Sequence, residues 1–273
     1  MFLRILRKIL LVYYISMEIK NILLVVIIIV LLYIVVRYVF SDVNTLTSLN
    51  SGTSMQKIAA GSLATGTVAN SSNFTYSIWF YINDWNYKYS DAKILYGRVG
   101  TVTDSQNITI ESIKNSQPCP AAILGAIENN LSILLTCFPG TTPTTSDDST
   151  TSDGYIVHTC NISNVPIQKW VNLLVSVYGR TLDVYLDGKL VKTCVLPGVA
   201  KINSNADVYV TPAGGFSGWT AKFQYYPNST DPQTAWNIYQ KGYGASWLSN
   251  IFGKYQVKVA FTDNGTETGS FTI

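Results

Sequence analysis

The feature that most constrains this chain is an unbroken apolar run near its N-terminus, from Ile22 to Val36, with the sequence ILLVVIIIVLLYIVV. An α-helix rises about 1.5 Å per residue, so residues 22–40 would cover roughly 28 Å, close to the bilayer's hydrocarbon core of about 30 Å. Each Ile, Leu or Val favours membrane insertion by about 0.3 to 0.6 kcal/mol. We therefore predict a single transmembrane helix over residues 21–40, with the lipid bilayer as a partner.

The residues that flank the run predict its orientation. Four basic residues precede it: Arg4, Arg7, Lys8 and Lys20. This bias favours a cytoplasmic N-terminus and a domain on the opposite side. A cleaved signal peptide is the alternative, but no small-residue cleavage site follows Val36. Residues 1–20 form a basic, apolar segment that either lies in the membrane interface or extends the span, and Met17 is an alternative start.

The part of the chain that follows the apolar run is nearly neutral. The whole sequence carries 19 basic and 16 acidic residues, a formal net charge of +3. Five of the basic residues and one acidic residue lie within the first 37 positions, which leaves 14 basic and 15 acidic residues for the rest. Nucleic-acid binding depends on clustered Lys and Arg side chains, so a nucleic-acid partner is not expected.

Four cysteines, all beyond the apolar run, predict two disulfide bonds on the translocated side of a membrane: Cys119, Cys137, Cys160 and Cys194. Three pairings are open, and four reduced thiols in the core are the alternative. Cys119 and Cys137 flank a hairpin-like stretch with Asn129–Asn130 near its turn, which favours a Cys119–Cys137 bond and a Cys160–Cys194 bond. No Cys-x-x-Cys spacing occurs, so a structural zinc site is not expected.

Asn-x-Ser/Thr sequons follow the apolar run and none precedes it, a distribution typical of an extracellular or luminal domain. The candidate N-glycosylation sites are Asn70, Asn73, Asn107, Asn130, Asn161, Asn228 and Asn264. Because the chain is rich in Asn, Ser and Thr, several of these matches are expected by chance.

Strand patterns dominate the rest of the chain. Phe74–Ile82 is rich in aromatic and β-branched residues, and Lys169–Gly198 alternates apolar and polar residues over three segments. Asp187–Gly188, between two of these segments, is a strong signal for a type I′ hairpin. Helical periodicity of comparable quality appears only around Pro232–Gln240. This pattern predicts an all-β fold, an antiparallel β-sandwich of the jelly-roll kind.

The predicted organisation has four parts. Residues 1–20 are the basic segment, 21–40 the transmembrane helix, 41–59 a stalk or early strands, and 60–273 the β-sandwich with a C-terminal extension. The low-complexity span Pro139–Gly154 is a predicted surface loop within the sandwich.

Two passages carry a recurring pattern of residues: Thr75–Trp79 (TYSIW) and Trp170–Gly188, the second with Leu182, Tyr185, Asp187 and Gly188 in W…L-x-x-Y-x-D-G spacing. This pattern resembles the laminin-G-like branch of the concanavalin A-like lectin/glucanase superfamily. The stretch Gly214–Tyr239 is similar to the strand and short helix that usually follow there. The resemblance covers roughly residues 60–240 and implies a concanavalin A-like jelly roll.

The C-terminal stretch, residues 240–273, is similar to the terminal module of such domains in large nucleocytoplasmic DNA viruses of algae and protists. There the domain often follows an N-terminal hydrophobic segment. The resemblance implies a virion protein, anchored in the membrane beneath the capsid, with other virion or capsid proteins as partners. Assembly in cytoplasm would leave the sequons empty and would require a dedicated oxidase for the disulfides.

The residues give little support for catalysis. Glucanases of this superfamily place two carboxylates on one strand in an E-x-D-x-x-E arrangement, and none of the four glutamates stands in that pattern. Asp183 and Asp187 share a strand face and are the nearest arrangement, but Asp187 is the hairpin's turn residue. His158 is the only histidine, and no G-x-S-x-G elbow occurs. We predict that the protein is not an enzyme.

Two further sets of residues are candidate ligand contacts. Laminin-G-like domains often hold a calcium ion at the sandwich rim, so the resemblance implies weak calcium candidates at Asp84, Asp91, Asp104 and Asp207. The segment DWNYKYS clusters Trp85, Tyr87 and Tyr89, rings that stack on sugars or anchor protein interfaces. The alternative for these rings is an edge strand with outward-facing side chains.

These observations predict a non-enzymatic, membrane-anchored structural protein, a minor capsid or membrane protein of a large DNA virus that links the internal membrane to the capsid shell. The alternative is a carbohydrate-binding, lectin-like adhesin. A glycoside hydrolase is the third hypothesis.

Overall fold

A computed structural model describes residues 21, 23–34, 44–63, 72–99, 110–140, 146–243, 258–263 and 266–272. The chain divides into two units, Met1–Val43 and Asn44–Ile273. In the first unit, helix α1 is described at residue 21 and residues 23–34.

The prediction of a membrane span is not supported by this helix. Over the described parts of the chain, no helix combines the length and the apolar character needed to cross a membrane. This finding contradicts the predicted localisation, a single-pass membrane protein with a cytoplasmic N-terminus in a membrane beneath a capsid.

The second unit is built mainly of β-strands. In chain order they are β1 (Thr45–Thr47), β2 (Asn50–Ser51), β3 (Gln56–Ile58), β4 (Phe74–Asp84), β5 (Lys93–Arg98), β6 (Ala121–Leu124), β7 (Leu131–Cys137), β8 (Ser149–Thr150), β9 (Ile156–Ile162), β10 (Trp170–Tyr178), β11 (Thr181–Leu186), β12 (Lys189–Val195), β13 (Val208–Val210), β14 (Ser217–Tyr226), β15 (Lys258–Asp263) and β16 (Thr266–Thr272). A 3₁₀ helix covers Ala60–Leu63, and two α-helices follow, α2 (Ile110–Asn115) and α3 (Pro232–Gln240).

These strands form two large antiparallel sheets, as the sequence predicts. The first sheet has the order β1-β14-β4-β10-β11-β12, with β2 also paired to β14. The second has the order β3-β13-β5-β6-β7-β9-β8, and β15 and β16 form a separate hairpin. The predicted meander is present as β10-β11-β12, and its second turn places Asp187 and Gly188 at positive φ, as a type I′ turn requires.

The core lies between the two sheets, where alternate side chains of the central strands enter one cluster. On β10, the apolar side chains of Val171, Leu173, Val175 and Val177 are all fully buried. Burying each such side chain contributes roughly 1.5 to 3 kcal/mol. They pack with side chains of the second sheet such as Leu135 in one continuous cluster. The two-residue alternation in the sequence therefore places these apolar side chains between the sheets.

Each sheet also buries part of its outer face under a helix. Ile113 of α2 joins a cluster with Ile123 and Leu134 of the second sheet. Ala235 and Ile238 of α3 pack on Leu174 and Tyr185 of the first sheet. The helices therefore cover only part of each outer face.

Two stretches contain strands, one predicted as a stalk or as early strands and the other as a surface loop. Residues 41–59, interpreted as a stalk or as early strands, contribute β1, β2 and β3 to the two sheets. The low-complexity span Pro139–Gly154 contains β8, which pairs with β9. Asp148, next to β8, lies 2.9 Å from Nδ1 of His158, and both side chains are buried. The only histidine of the chain is thus part of a buried pair between neighbouring strands.

One disulfide is present, between Cys160 of β9 and Cys194 of β12, and it joins the two sheets. The predicted Cys119–Cys137 bond is absent, because both residues are free thiols buried in the core. Burial raises the pKa of each thiol to about 12. Because the thiolate is the species that forms disulfides, neither cysteine is activated for oxidation.

Removing the disulfide should destabilise the second unit. The bond closes a loop with a sequence separation of 34 residues, for which the chain-entropy model gives about 4 kcal/mol. We expect the double variant Cys160→Ala/Cys194→Ala to lose up to that much free energy of unfolding in urea titrations. Cys119→Ala, which removes a buried thiol without a cross-link, should lose only about 1 kcal/mol. Peptide mapping that found Cys119 linked to Cys137 would contradict this arrangement.

Candidate functional site

A row of three aromatic rings crosses the outer face of the first sheet. Strand β4 lies between β14 and β10, and Tyr81 of β4 is paired with Trp219 on one side and Trp170 on the other. The ring centroids are 5.7 Å apart for Tyr81–Trp219 and 5.8 Å apart for Tyr81–Trp170. Because all three residues point away from the core, the row faces outward at the end of the sheet not covered by α3.

Helix α3 and the residues after it add rings to this row. Tyr239 stacks on Trp79 at 5.5 Å, with an interplanar angle of 17°. Tyr243, just past the helix, stacks on Trp170 at 4.3 Å and 16°, and also contacts Trp79 at 5.6 Å. Trp236 contacts Tyr239 at 5.4 Å. The rings thus form one connected surface over three strands and a helix.

We call this surface the aromatic face, and it consists of Trp79, Tyr81, Trp170, Trp219, Trp236, Tyr239 and Tyr243. It contains four of the six tryptophans of the chain. Trp219 and Tyr243 are each 44% exposed and Trp236 is 39% exposed, whereas Trp79 at 5% forms the floor. Contiguous exposed apolar surface is a feature of interaction sites.

Helix α3 is fixed at its start by a buried group of hydroxyls. The Thr230 backbone N–H donates to Ser176 Oγ at 2.8 Å, and the Thr230 hydroxyl bonds to that of Thr75 at 2.9 Å. Asp231 then caps the helix by accepting from the Thr234 backbone N–H at 2.9 Å. These bonds from Thr234 hold the pKa of Asp231 below its usual range. The strands thereby determine where the rings of α3 lie.

Two glycines let the chain approach the aromatic face closely. Gly188, in the β11–β12 turn, lies where a Cβ would be only 3.0 Å from both Trp236 and Tyr239, and its φ is +73°. Gly242, with φ of +67°, turns the chain after α3, and its carbonyl accepts from Lys222 Nζ at 3.0 Å. Gly188 lets α3 pack closely against the β11–β12 hairpin. The turn at Gly242 places Tyr243 over the first sheet.

The charged groups beside the aromatic face are engaged with one another. Lys169, next to Trp170, is 2.9 Å from a carboxylate oxygen of Asp187. The other oxygen of Asp187 accepts from the Asn172 backbone N–H at 3.0 Å. The carboxylate of Asp187 is therefore bonded through both of its oxygens.

The aromatic residues predicted from the DWNYKYS segment lie outside the aromatic face. Trp85 packs against the core, donates to the Ile127 carbonyl at 2.8 Å and lies under the Lys93 ammonium at 4.9 Å. The Tyr87 hydroxyl donates to the Gly214 carbonyl at 3.1 Å. Only Tyr89, which is 55% exposed, presents most of its ring to solvent. The first two rings have structural contacts that the sequence did not reveal.

The structure does not bring the calcium candidates together. Asp84 accepts from the Asn86 backbone N–H, Asp91 is exposed, and Asp207 pairs with Lys57. Asp104 lies outside the described residues. Within the described ranges, no group of three or more His, Cys, Asp or Glu side chains is placed to hold a metal ion.

The sequons differ in accessibility. Asn161 and Asn228 are exposed, whereas Asn73 and Asn130 are partly buried. Asn73 Oδ1 accepts from the Gly179 backbone N–H at 2.8 Å, so its side chain already caps a turn. The remaining three, Asn70, Asn107 and Asn264, lie outside the described residues. Glycosylation of any of them stays a prediction.

Only part of the aromatic face has a signal in the sequence. In Phe74–Ile82, strict alternation places Trp79 and Tyr81 on the face opposite Ile78 and Phe80, and this signal was available in the sequence. The contribution of Tyr243 had no comparable signal, since it depends on the turn at Gly242.

Comparisons with known proteins add only a general likeness. No family model and no curated protein matches the sequence. Among solved structures, the receptor-binding domain of the botulinum neurotoxin C/D mosaic serotype matches with a TM-score of 0.47 and 10% identity, over 72% of this chain and 43% of that chain. The binding domain of botulinum neurotoxin DC in complex with SialylT gives a TM-score of 0.43 and 12% identity, over 71% and 46%.

This chain therefore spans less than half the length of these domains, and the likeness is limited to the β-rich fold. Neither the concanavalin A-like resemblance nor the viral one is confirmed by these comparisons.

The Asp207–Lys57 pair should make stability depend on acid pH. The hydrogen bond from Lys57 holds the pKa of Asp207 below its usual range. The contribution of this carboxylate is therefore present above its unfolded pKa of about 3.9 and is lost as the pH falls through the lower folded value. We expect Asp207→Asn to reduce the loss of stability below about pH 4, measured as urea midpoints from pH 7 to 3.

Asp91→Asn, at an exposed carboxylate, is the matched control and should retain the wild-type pH profile. An Asp207→Asn profile as steep as that of the wild type would contradict the assignment.

Proposed function

We propose that the protein is a non-catalytic, lectin-like module that binds glycans through the aromatic face. The observation that carries this proposal is the row Trp219–Tyr81–Trp170, three outward rings in contact on adjacent strands. Tyr and Trp join an apolar ring to a polar tip, which suits a ligand that is apolar on one side and hydrated on the other. Sugar rings have this character, with C–H groups on their faces and hydroxyls on their edges.

The charge distribution supports a neutral ligand. The ionic groups at the border of the aromatic face, Lys169 and Asp187, neutralise each other at 2.9 Å. The region beyond the first 37 residues is also nearly neutral, with 14 basic and 15 acidic residues. A polyanionic ligand such as nucleic acid would require unpaired cations, whereas a neutral sugar requires stacking surface and hydrogen-bonding groups.

The positions of the candidate carboxylates support binding without catalysis. Asp183 accepts from the Thr193 hydroxyl at 2.6 Å. Both oxygens of Asp187 are already bonded, one to Lys169 and one to the Asn172 backbone N–H. Glycoside hydrolysis needs one carboxylic acid and one carboxylate facing the same bond. The two aspartates are instead held by the fold.

A glycan array with the full-length chain tests the proposal. We expect binding to a subset of neutral glycans, weakened about tenfold or more in Trp219→Ala and Trp236→Ala, because each truncation removes about 1.4 kcal/mol or more of stacking. Tyr178→Ala is the matched control, since Tyr178 is an exposed ring on β10 that is not part of the aromatic face. Its array profile should equal that of the wild type.

Other outcomes would redirect or reject the proposal. A loss of binding in Tyr89→Ala, with Trp219→Ala unchanged, would move the site to the DWNYKYS segment. An absence of glycan binding, together with self-association that disappears in Trp219→Ala, would instead identify the aromatic face as a protein interface.

A further inference from the structure

Two cross-strand neighbours beneath the aromatic face each carry a buried polar atom without a hydrogen-bond partner. Trp79 of β4 and Asn172 of β10 are paired across the two strands, and both side chains point to the outer face. Among the described residues, neither Trp79 Nε1 nor Asn172 Oδ1 has a hydrogen-bond partner, although both atoms are buried. Buried polar groups are nearly always bonded, so an unpaired donor beside an unpaired acceptor requires an explanation.

The orientation of Asn172 is determined by its other contacts. Its Nδ2 donates to Ser77 Oγ at 3.1 Å and approaches the Ile78 carbonyl at 3.5 Å. A carbonyl can only accept, so the amide nitrogen faces these groups and Oδ1 remains free. The free acceptor and the indole N–H of Trp79 thus form a donor–acceptor pair on the floor of the aromatic face.

The ring of Tyr243 lies over this floor but is not itself buried. Its ring lies parallel to Trp170, at 4.3 Å and 16°, and tilts over Trp79 at 5.6 Å. It nevertheless remains 44% exposed and lies just past the turn at Gly242. A flat ring stacked on a tryptophan at the border of a site occupies the position that a sugar ring would take.

We propose that Tyr243 occupies a monosaccharide subsite of the aromatic face, which a neutral pyranose enters by displacing the tyrosine ring. The pyranose stacks its C–H face on Trp170, and adjacent hydroxyls bond to Trp79 Nε1–H and Asn172 Oδ1. A hydroxyl both accepts and donates, so a vicinal pair matches one donor and one acceptor. This subsite deepens the proposed function and rests on it.

The chemistry of the floor also predicts selectivity. Both floor groups are uncharged, and Lys169 beside Trp170 is paired with Asp187. A sugar that lacks one of the two hydroxyls would leave a buried group unpaired. We therefore expect discrimination against deoxy analogues at one ring position, and weaker binding of acidic sugars than of neutral ones.

Titrations of the full-length chain with methyl hexopyranosides and their deoxy analogues, followed by tryptophan fluorescence, test the subsite. Tyr243→Ala should bind the preferred methyl glycoside about three- to tenfold more tightly than the wild type, because no ring has to be displaced. Trp79→Phe keeps the ring but removes the N–H, and should weaken binding about tenfold. Tyr178→Phe, which removes the polar tip of an exposed ring outside the aromatic face, is the matched control and should bind like the wild type.

The outcomes separate this inference from the proposed function. Weaker or unchanged binding in Tyr243→Ala, or wild-type affinity in Trp79→Phe, overturns the subsite even when Trp219→Ala shows that the aromatic face binds sugar. An absence of binding in both the wild type and Tyr243→Ala overturns both proposals. Thermal unfolding of each variant establishes that it is folded, and selectivity among deoxy analogues provides a second readout that depends only on the floor groups.

Discussion

The two-residue period of strand β4 is the constraint on which both the core and the aromatic face depend. The strand lies between β14 and β10, so its register is set on both sides. Ile78 and Phe80 enter the core, and the intervening Trp79 and Tyr81 must then point outward. A slip by one residue would exchange the two sets. The burial that stabilises the sandwich therefore also determines which rings are displayed.

Helix α3 covers part of the outer face and adds its own rings to those of the strands. It covers one end of the outer face through Ala235 and Ile238, and it leaves the row of Trp219, Tyr81 and Trp170 open. Its start is tied to the sheet by the hydroxyls of Thr75, Ser176 and Thr230, so the helix cannot shift along the strands without breaking buried hydrogen bonds. Rings carried by strands and rings carried by the helix are thus held in one geometry, which is the condition for a preorganised binding surface.

Much of the fold could be predicted from the sequence because its signals are local. The alternation in Phe74–Ile82, the hairpin at Asp187–Gly188 and the helix at Pro232–Gln240 each depend on neighbouring residues, and the structure contains all three. The apolar run was harder to interpret, because hydropathy alone does not determine the length of a helix, and no helix among the described residues meets the requirements for a membrane span. The prediction of a Cys119–Cys137 bond was wrong: both residues are free, buried thiols, and two positions that flank a hairpin do not by that fact meet the geometry of a disulfide.

The candidate site was less predictable because it combines distant parts of the chain. Trp219, Tyr81 and Trp170 meet only through the strand order β14-β4-β10, which no local pattern reveals. Trp85 and Tyr87 looked like surface rings, but their polar tips bond to carbonyls of other loops, at Ile127 and Gly214. The disulfide between Cys160 and Cys194 has a mechanical consequence for this arrangement. The bond links β12, an edge strand of the first sheet, covalently to the second sheet. A pulling force on the sheet that carries the rings is therefore transmitted to both sheets. Sliding of one sheet over the other is resisted by a covalent bond as well as by packing.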